Sequence, residues 1–491
     1  MVELLQKEEK EPILDHCGII AAYITEDIPF FMTGVSGLKK LQTRGIDGAG
    51  VYARLSNGEI LVHKGKGKIE EALNKEAIAD LVHARAKIWL LQTRYGTNGS
   101  GNLENIQPII RKHMDGSVFS IVHNGEFSSN RRGTNGESDT VCFANELAKS
   151  PQTSWDERIL AAQRKSKGAW SLAVDTNSGL YLMRDELGIR PLSFGYKSVE
   201  GKKIWAASSE TAGLSAMGMR DIKEVLPGQV IRINENGPKI LQITNCEFSK
   251  MSTCIFENVY LGNGHSAIHR PRSTMVAINT EPTIKDFQRK CGQILASEEN
   301  LITALDVDFA VGIPGTGIAG GRAYAEYLGI PYIQAISDKT PQERNLRTFM
   351  NPNIEEIPDK IKEHFYFEQN YLKGARIVAI DDSIVRANIA KGLNNELRKL
   401  GVVALHLRVL CPPIDKRCYL GINTRNKEEL IAYRHKGDIE EMKKEIGVDS
   451  LAFLSDNGLL QASGRKEGFC LGCMVGHKPP IDNNGNITYE R

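Results

Sequence analysis

Short apolar runs separated by Gly, Asn and Asp follow one another through the first 235 or so residues of the chain. They have the length and composition of β-strands, and examples are residues 88–91, 118–122, 170–174 and 203–207. Helical spacing of apolar residues is found in fewer stretches, namely 70–81, 139–149 and 156–166. This half of the chain therefore predicts layered sheets flanked by helices.

The second half alternates apolar strands with helix-like segments. The predicted strands are 309–313, 331–336, 376–380 and 402–410, and the predicted helices are 318–328 and 389–400. Unbroken apolar strands that alternate with helices are typical of a parallel, doubly wound α/β sheet. The polar stretch 234–250 separates the two patterns, so we predict one domain over residues 17–240 and a second over 250–491.

Composition narrows the class of protein. The chain has 491 residues, 41% of them hydrophobic and 25% charged, and its formal net charge is +2 without a long block of one sign. The sequence has no cluster of basic residues of the kind that binds nucleic acid. The first twelve residues are charged and lack an apolar core, so they do not predict a secretory signal, and no apolar run reaches membrane-spanning length. Nine cysteines, an odd number, favour thiols or metal ligands in a reducing compartment, and we predict a cytoplasmic protein.

Five residues suit acyl transfer on an amino acid, and they precede an apolar run, follow predicted strands or open a predicted helix. Cys17 stands before Gly18 and an apolar run, and its thiol is a potential nucleophile. Arg94 offers a guanidinium for a carboxylate. Asn124 and Gly125 together offer two N–H donors for an oxyanion. Asp139 either caps its helix or accepts an ammonium group.

The order of these segments resembles the class II glutamine amidotransferase domain, an N-terminal-nucleophile fold with an αββα sandwich. Other matching segments are residues 41–45, 105–108, 184–192, 207–210 and 226–228. The resemblance implies that residues 1–16 are a propeptide and that the freed α-amino group of Cys17 acts as the general base. It also implies that Arg94, Thr97 and Asp139 bind glutamine, and that Asn124 and Gly125 form the oxyanion hole.

Four cysteines lie in segments that are similar to the iron–sulfur type of the amidophosphoribosyltransferase family. Cys470 and Cys473 form a C-x-x-C pair, which alone is compatible with zinc, a redox pair or neither. Residues 252–257, 412–422 and 469–473 match the family's cluster segments and add Cys254 and Cys418. The resemblance implies a [4Fe–4S] cluster held by these four thiolates, with zinc as the alternative.

Paired carboxylates follow the predicted strand 376–380. Asp381, Asp382 and Ser383 suit ribose hydroxyls or Mg²⁺, with a helix N-terminus next to them for a phosphate. This resembles the phosphoribosyl-diphosphate motif of type I phosphoribosyltransferases, a resemblance that also assigns Thr316 to the acceptor site. The implied reaction is transfer of ammonia from glutamine, through an internal channel, to phosphoribosyl diphosphate. The implied product is 5-phosphoribosylamine, for purine synthesis, made by a homodimer or homotetramer.

The acceptor segments depart from that family at four places. Residues 387–389 read Ala-Asn-Ile where small Gly and Thr residues are expected, and 341–344 read Pro-Gln-Glu-Arg where Lys-Asn-Arg-Tyr is expected. Residues 314–317 read Pro-Gly-Thr-Gly instead of Pro-Asp-Ser-Gly, and 262–266 replace an Arg-Pro-Asp-Ser segment. These departures keep open a paralog that aminates another phosphorylated or carbonyl acceptor.

A third hypothesis is a regulatory or nucleotide-binding protein that has lost transfer. Residues 315–320 form a G-x-G-x-x-G pattern between a predicted strand and a predicted helix, with Asp338 after the next predicted strand. This is the outline of a dinucleotide fingerprint.

Overall fold

The computed structural model describes residues 16–26, 28–74, 78–95, 103–128, 137–242, 251–299, 306–339, 361, 364–418, 420–422, 424 and 426–481. The strands are β1 (His16–Ile24), β2 (Gly48–Leu55), β3 (Ile60–Lys66), β4 (Ala86–Tyr95), β5 (Ile109–Lys112), β6 (Val118–Phe127), β7 (Gly168–Thr176), β8 (Gly179–Arg184), β9 (Ser193–Val199), β10 (Lys202–Ser208), β11 (Arg220–Glu224), β12 (Val230–Asn234), β13 (Gly237–Gln242), β14 (Thr253–Cys254), β15 (Phe309–Gly312), β16 (Ile336–Asp338), β17 (Phe365–Phe367), β18 (Arg376–Asp381), β19 (Ala404–Val409), β20 (Ser450–Phe453) and β21 (Phe469–Cys470).

The α-helices are α1 (Phe31–Lys39), α2 (Ile69–Ala72), α3 (Ala79–His83), α4 (Asp139–Ala148), α5 (Trp155–Lys165), α6 (Thr211–Ala216), α7 (Ile284–Glu298), α8 (Gly317–Leu328), α9 (Gln369–Leu372), α10 (Asn388–Lys399), α11 (Ile431–Arg434), α12 (Ile439–Ile446) and α13 (Asp456–Ser463). Short 3-10 helices lie at Gln42–Arg44, Leu103–Asn105 and Lys427–Glu429, and a π-helix at Glu257–Leu261. Among the described helices, none is both long and apolar enough to cross a membrane.

Two antiparallel sheets pack face to face in the N-terminal half, residues 16–242. One has the order β11-β9-β10-β1-β4-β2-β3 and the other β13-β12-β8-β7-β6-β5. Ile19, Tyr52 and Leu90 of the first sheet share one buried core with Leu182 and Ile231 of the second. Successive side chains of a strand point to opposite faces, so each sheet also presents an outer apolar face.

Helices cover both outer faces. Phe31 and Leu38 of α1 pack with Trp89 on the first sheet, and Phe143 of α4 packs with Trp170 on the second. The result is a four-layer αββα sandwich, which confirms the predicted fold of this half.

The C-terminal half, residues 251–481, contains a parallel sheet in the order β15-β18-β19-β20. All four residues of β15 are buried, as are Ile377–Ile380 of β18, because helices flank the sheet. This confirms the predicted parallel α/β sheet. The carboxyl ends of β15 and β18 lie side by side, which places the loops that follow them together.

Two predicted elements are wrong in detail. The single helix over 70–81 is replaced by the shorter helices α2 and α3. The strand over 331–336 is reduced to a bridge at Tyr332 beside β15. The side-chain amide of Gln334 donates to the carbonyl oxygens of Gly312 (2.8 Å) and Ile336 (2.5 Å), and thereby takes the place of a continuing ladder.

Candidate active site

Cys17 lies on β1, a central strand of the first sheet, with β10 on one side and β4 on the other. The register places Cys17 directly opposite Arg94 of β4, and both residues are buried. Directly paired residues in an antiparallel ladder carry their side chains on the same face. The predicted nucleophile and the predicted carboxylate clamp, 77 positions apart in the sequence, are therefore neighbours.

Among the described residues, the side chains of Gln92 and Asn124 form hydrogen bonds with Cys17. The Gln92 side-chain amide donates to the thiol, with Nε2 2.8 Å from Sγ. The Cys17 backbone N–H donates to Asn124 Oδ1 at 3.3 Å. Because this N–H is a donor, the Asn124 atom that faces it must be oxygen, which turns the NH₂ group away. Asn124 Nδ2 is buried and has no hydrogen-bond partner among the described residues, so it is a donor available to an oxyanion.

Gly125 follows Asn124 on β6 in a conformation that requires glycine. Its φ is 128°, and a Cβ at this position would lie 2.0 Å from the carbonyl oxygen of Ala169 on β7. The absence of a side chain allows β6 to keep its pairing with β7 through this point. Asn124 and Gly125 are thus held by a regular ladder of the sheet beside the nucleophile.

Asp139 is the first residue of α4, but Ser138 is the cap. The Ser138 hydroxyl accepts a hydrogen bond from the N–H of Val141 at 3.4 Å. The Asp139 carboxylate accepts from the backbone N–H groups of Phe127 (2.9 Å) and Thr140 (2.7 Å). Asp139 therefore ties α4 to the end of β6, close to the Asn124–Gly125 pair. Thr97, the other predicted glutamine ligand, lies outside the described residues.

His123 directly precedes Asn124 on β6, and no motif in the sequence indicates a role for it. Its ring stacks on Phe127, with centroids 4.7 Å apart, and Nδ1 lies 2.8 Å from Thr140 Oγ1. Burial, with a smaller contribution from the positive charge of Arg190, lowers the pKa of His123 to about 3. The imidazole is consequently neutral at physiological pH, and it packs on the ring of Phe127.

The four predicted cluster ligands, Cys254, Cys418, Cys470 and Cys473, form what we call the four-cysteine site. Cys254 pairs with Cys470 across the parallel strands β14 and β21. Cys418 Sγ accepts a hydrogen bond from the N–H of Leu420 at 3.3 Å. Cys418, Cys470 and Cys254 all lie close enough to Cys473 to act on it electrostatically, so three distant segments of the chain meet at this site.

Electrostatics within the four-cysteine site disfavour free thiolates. Burial is the main cause that raises the pKa of the Cys470 thiol to about 12, and the neighbouring Cys418 adds to it. Burial likewise raises the pKa of Cys473, with Cys418, Cys470 and Cys254 as further contributors. The four cysteine sulfurs are soft donors, and as thiolates they repel one another. They therefore suit a group that supplies positive charge, such as an iron–sulfur cluster or zinc. Across the part of the chain that the structure covers, however, no three His, Cys, Asp or Glu side chains are arranged to hold a metal ion.

The predicted acceptor residues converge at the carboxyl ends of β15 and β18, which we call the acceptor edge. Gly317 packs so closely on β18 that a Cβ would lie 2.4 Å from the Ile380 carbonyl oxygen. This contact brings the turn that carries Thr316 against Asp381. The N–H of Asp382 donates to Asp381 Oδ1 (2.9 Å), and burial raises the pKa of Asp381 to about 6.

The turn from Ser383 to Ala387 leads into α10. The Ser383 hydroxyl donates to Asp382 Oδ1 at 2.5 Å, and Arg386 pairs with Glu429. Ala387 has a φ of 67°, the left-handed region that favours glycine. The backbone at this position thus adopts a conformation that favours glycine, although residue 387 is alanine. Residues 341–344, which depart from the family in the preceding loop, lie outside the described residues.

The dinucleotide fingerprint is not completed by the fold. Residues 315–317 do join β15 to α8, as that pattern requires. Asp338, however, lies on β16, which pairs with β17 in a separate two-stranded sheet. The acidic residue is therefore not at the end of the next parallel strand, where it would meet a ribose.

Comparisons with known proteins cover nearly the whole chain. No protein-family model matches it. The amidophosphoribosyltransferase of Synechococcus elongatus is 31% identical over 477 residues, which cover 94% of this chain and 91% of that protein. The amidophosphoribosyltransferase of Methanocaldococcus jannaschii is 31% identical over 492 residues, which cover 94% of this chain and 97% of that protein.

The chain belongs to the amidophosphoribosyltransferase family. A solved structure described as glutamine phosphoribosylpyrophosphate amidotransferase from B. subtilis, complexed with ADP and GMP, matches with a TM-score of 0.78 and 28% identity. The match covers 96% of this chain and 99% of that one. Both predicted halves of the fold thus agree with the amidophosphoribosyltransferase architecture.

Sequence reasoning missed three residues of the site that only the fold reveals. Gln92 donates a hydrogen bond to the Cys17 thiol, the His123 ring stacks on Phe127, and the hydroxyl of Ser209 accepts a hydrogen bond from the N–H of Ile19 at 3.1 Å. All three lie inside segments with recognisable motifs, but their residue types carry no local signal of these contacts.

Proposed function

We propose that this protein is a glutamine-dependent amidophosphoribosyltransferase, which hydrolyses glutamine at Cys17 and aminates phosphoribosyl diphosphate to 5-phosphoribosylamine. The observation that carries the proposal is the contact of Cys17 with Asn124, with Arg94 directly opposite on the next strand. Residues 17–240 form the glutaminase domain and 250–491 the transfer domain in this proposal, and residues 1–16 are a propeptide removed ahead of Cys17.

The glutaminase chemistry follows from these positions. Arg94, Thr97 and Asp139 hold the carboxylate and ammonium groups of glutamine. The thiol of Cys17 attacks the carboxamide carbon, and the freed α-amino group takes the thiol proton and passes it to the leaving ammonia. Asn124 Nδ2 and the N–H of Gly125 donate to the oxyanion of the tetrahedral intermediate. Water then hydrolyses the thioester to glutamate.

The acceptor edge takes the ammonia in the second half-reaction. Asp381 and Asp382 bind the ribose hydroxyls or Mg²⁺, Thr316 donates to a phosphate oxygen, and the Ser383 hydroxyl turns from Asp382 to donate to another when the acceptor binds. Mg²⁺, when bound, neutralises the charge of the departing diphosphate. Ammonia forms a bond to the anomeric carbon as the bond to diphosphate breaks, and a proton is released.

The four-cysteine site binds a [4Fe–4S] cluster in our proposal, with zinc as the alternative that its thiols also suit. Its position between β14 and β21 supports a structural role, because a ligand held there would tie the C-terminal segment to residues 253–254. The cytoplasmic location and the homo-oligomeric state remain predictions from the sequence.

A direct assay distinguishes the proposed function from the alternative, a paralog that aminates another acceptor. Purified, processed protein is given glutamine, Mg²⁺ and phosphoribosyl diphosphate, and both glutamate and diphosphate are measured. We expect diphosphate release that requires glutamine or ammonia together with Mg²⁺. Glutamate formation without diphosphate release would reject this acceptor and favour the paralog hypothesis, which the altered residues 387–389 motivate. Iron, sulfide and zinc analysis of the same sample distinguishes the two ligands of the four-cysteine site.

A further inference from the structure

Four charged side chains from motif segments have no role in the chemistry above. Arg44, Arg190 and Glu210 belong to the N-terminal half, and Glu257 belongs to the π-helix of the C-terminal half. The side chains of all four are at most 3% exposed. We call this group the charge quartet. Its two positive and two negative charges balance, as buried charges must to be tolerated.

The charge quartet is continuous across the two halves of the molecule. Arg44 pairs with Glu210 through Nε and with Glu257 through Nη2. The other oxygen of Glu257 accepts from Arg190 Nη1 at 2.8 Å. Arg190 Nη2 donates to the carbonyl oxygen of Leu420, two residues beyond Cys418. The segment that carries Cys418 is thereby connected to Arg44.

At the Arg44 end of the quartet, residues that follow Arg44 in the chain contact Arg94 of the proposed glutamine site. Gly45, next to Arg44, packs against the backbone of Arg94, where a Cβ would lie 2.3 Å from the Arg94 carbonyl carbon. The N–H of Asp47 donates to the Arg94 carbonyl oxygen at 2.9 Å. The turn that begins with Leu41 also packs on Gly18, the neighbour of Cys17, with a hypothetical Cβ 2.6 Å from Leu41 Cβ.

Glu210 provides a second connection between the C-terminal half and the proposed glutamine site. Its Oε2 accepts from the N–H of Asn263 and from the hydroxyl of Ser266, both at 2.7 Å and both in the C-terminal half. Ser209, the residue before it, exchanges hydrogen bonds with the backbone of Ile19 on the strand of Cys17. The C-terminal half is therefore connected, through Glu210 and its neighbour Ser209, to the strand of Cys17.

We propose that the charge quartet is a positioning unit, through which the C-terminal half holds the turn at residues 41–45, and with it Arg94, in the geometry that binds glutamine. This inference rests on the proposed function, specifically on the assignment of Arg94 to the glutamine carboxylate. Arg94 contacts glutamine equally in the ground state and the transition state. Misplacing it raises KM for glutamine and leaves kcat nearly unchanged.

The test uses full-length processed protein and two variants. Glu257→Gln removes one negative charge. The double variant Arg44→Met/Glu257→Met removes one positive and one negative charge, so that the remaining charges of Arg190 and Glu210 still sum to zero. We expect both to raise the glutaminase KM by about tenfold, with kcat changed by less than about threefold. Glutamine protection of Cys17 against iodoacetamide measures the same affinity without turnover, and it should weaken by the same factor.

Asp175→Asn is the matched control, because Asp175 is a fully buried carboxylate of the N-terminal half that pairs with Arg54 and Tyr52. It should lower the urea midpoint of unfolding without raising KM. Unchanged KM and protection in both quartet variants would overturn the inference, and so would an equal rise in Asp175→Asn, which would indicate a general loss of stability. Wild-type protein without glutaminase activity would instead overturn the proposed function, and this inference with it.

Discussion

The two halves of this enzyme carry their chemistry on different kinds of backbone. Cys17, Arg94, Asn124 and Gly125 lie within strands, and each is directly paired with a residue of a neighbouring strand. Asp382, Ser383 and Thr316 lie in turns beyond the ends of strands. A ladder fixes direction and spacing, so its residues cannot vary without loss of the site. A turn requires only its backbone conformation, so its residue types are less constrained than those of a ladder.

Removing the nucleophile should give the largest difference between glutamine-dependent activity, which needs the N-terminal half, and ammonia-dependent activity, which does not. Cys17→Ala should lower glutamine-dependent amination by about 10⁴-fold or more, because no other group forms the thioester. Activity with ammonia should stay within about twofold, since the acceptor edge is intact. Diphosphate release is measured with each nitrogen source. Cys142→Ala, a second thiol on α4, is the control, and equal loss with ammonia would contradict the separation.

The converse change is in the acceptor edge. Asp381→Asn should lower ammonia-dependent amination by about 10²–10³-fold, because a charge that faces Mg²⁺ or ribose is lost. Glutamate formation without phosphoribosyl diphosphate should be unaffected. Asp306→Asn alters an exposed carboxylate paired with Arg376 and should change neither rate. Full retention of transfer in Asp381→Asn would remove this residue from the site.

Acid should weaken the glutamine half through His123. Burial depresses the pKa of this residue in the folded protein, so the stability it contributes is complete above about pH 6.5 and is lost as the pH falls toward 3. The loss is about 1.4 kcal/mol per pH unit, or about 2 kcal/mol between pH 6.5 and 5.

Tryptophan fluorescence reports this loss selectively, because all four tryptophans lie before residue 206. Urea unfolding followed at pH 7 and pH 5 should show a smaller pH difference for His123→Gln than for the wild type. An identical pH difference would show that His123 is not the titrating group.

The smallest effect concerns the turn before α10. An L-residue at the φ of Ala387 costs about 1–2 kcal/mol, of which glycine's greater freedom in the unfolded chain offsets about 0.5–1. Ala387→Gly should therefore stabilise the protein by about 0.5–1 kcal/mol. Ala390→Gly, inside the same helix, should destabilise it by about 1 kcal/mol. Thermal unfolding followed by circular dichroism compares the two, and destabilisation by both would contradict the left-handed turn.

Much of the fold could be predicted because its signals are local. Alternating and unbroken apolar runs predicted the sandwich and the parallel sheet, since burial on one face or on two imposes those periods. The helix predicted over 70–81 failed because a continuous helical pattern does not show where packing against a sheet ends it. The prediction of a strand over 331–336 was wrong because the side chain of Gln334 donates to the carbonyl oxygens of Gly312 and Ile336, which strand pairing would otherwise have used.

For the site, the sequence alone determined the residue types and their order: a thiol before glycine, a guanidinium, an amide before glycine, and paired carboxylates after a strand. Only the tertiary structure decided their partners. It placed Gln92 on the Cys17 thiol, Ser138 rather than Asp139 at the helix cap, and Glu257 between Arg44 and Arg190. Such contacts join residues up to 213 positions apart. They depend on strand register and on the packing of the two halves, which no local pattern of residues encodes.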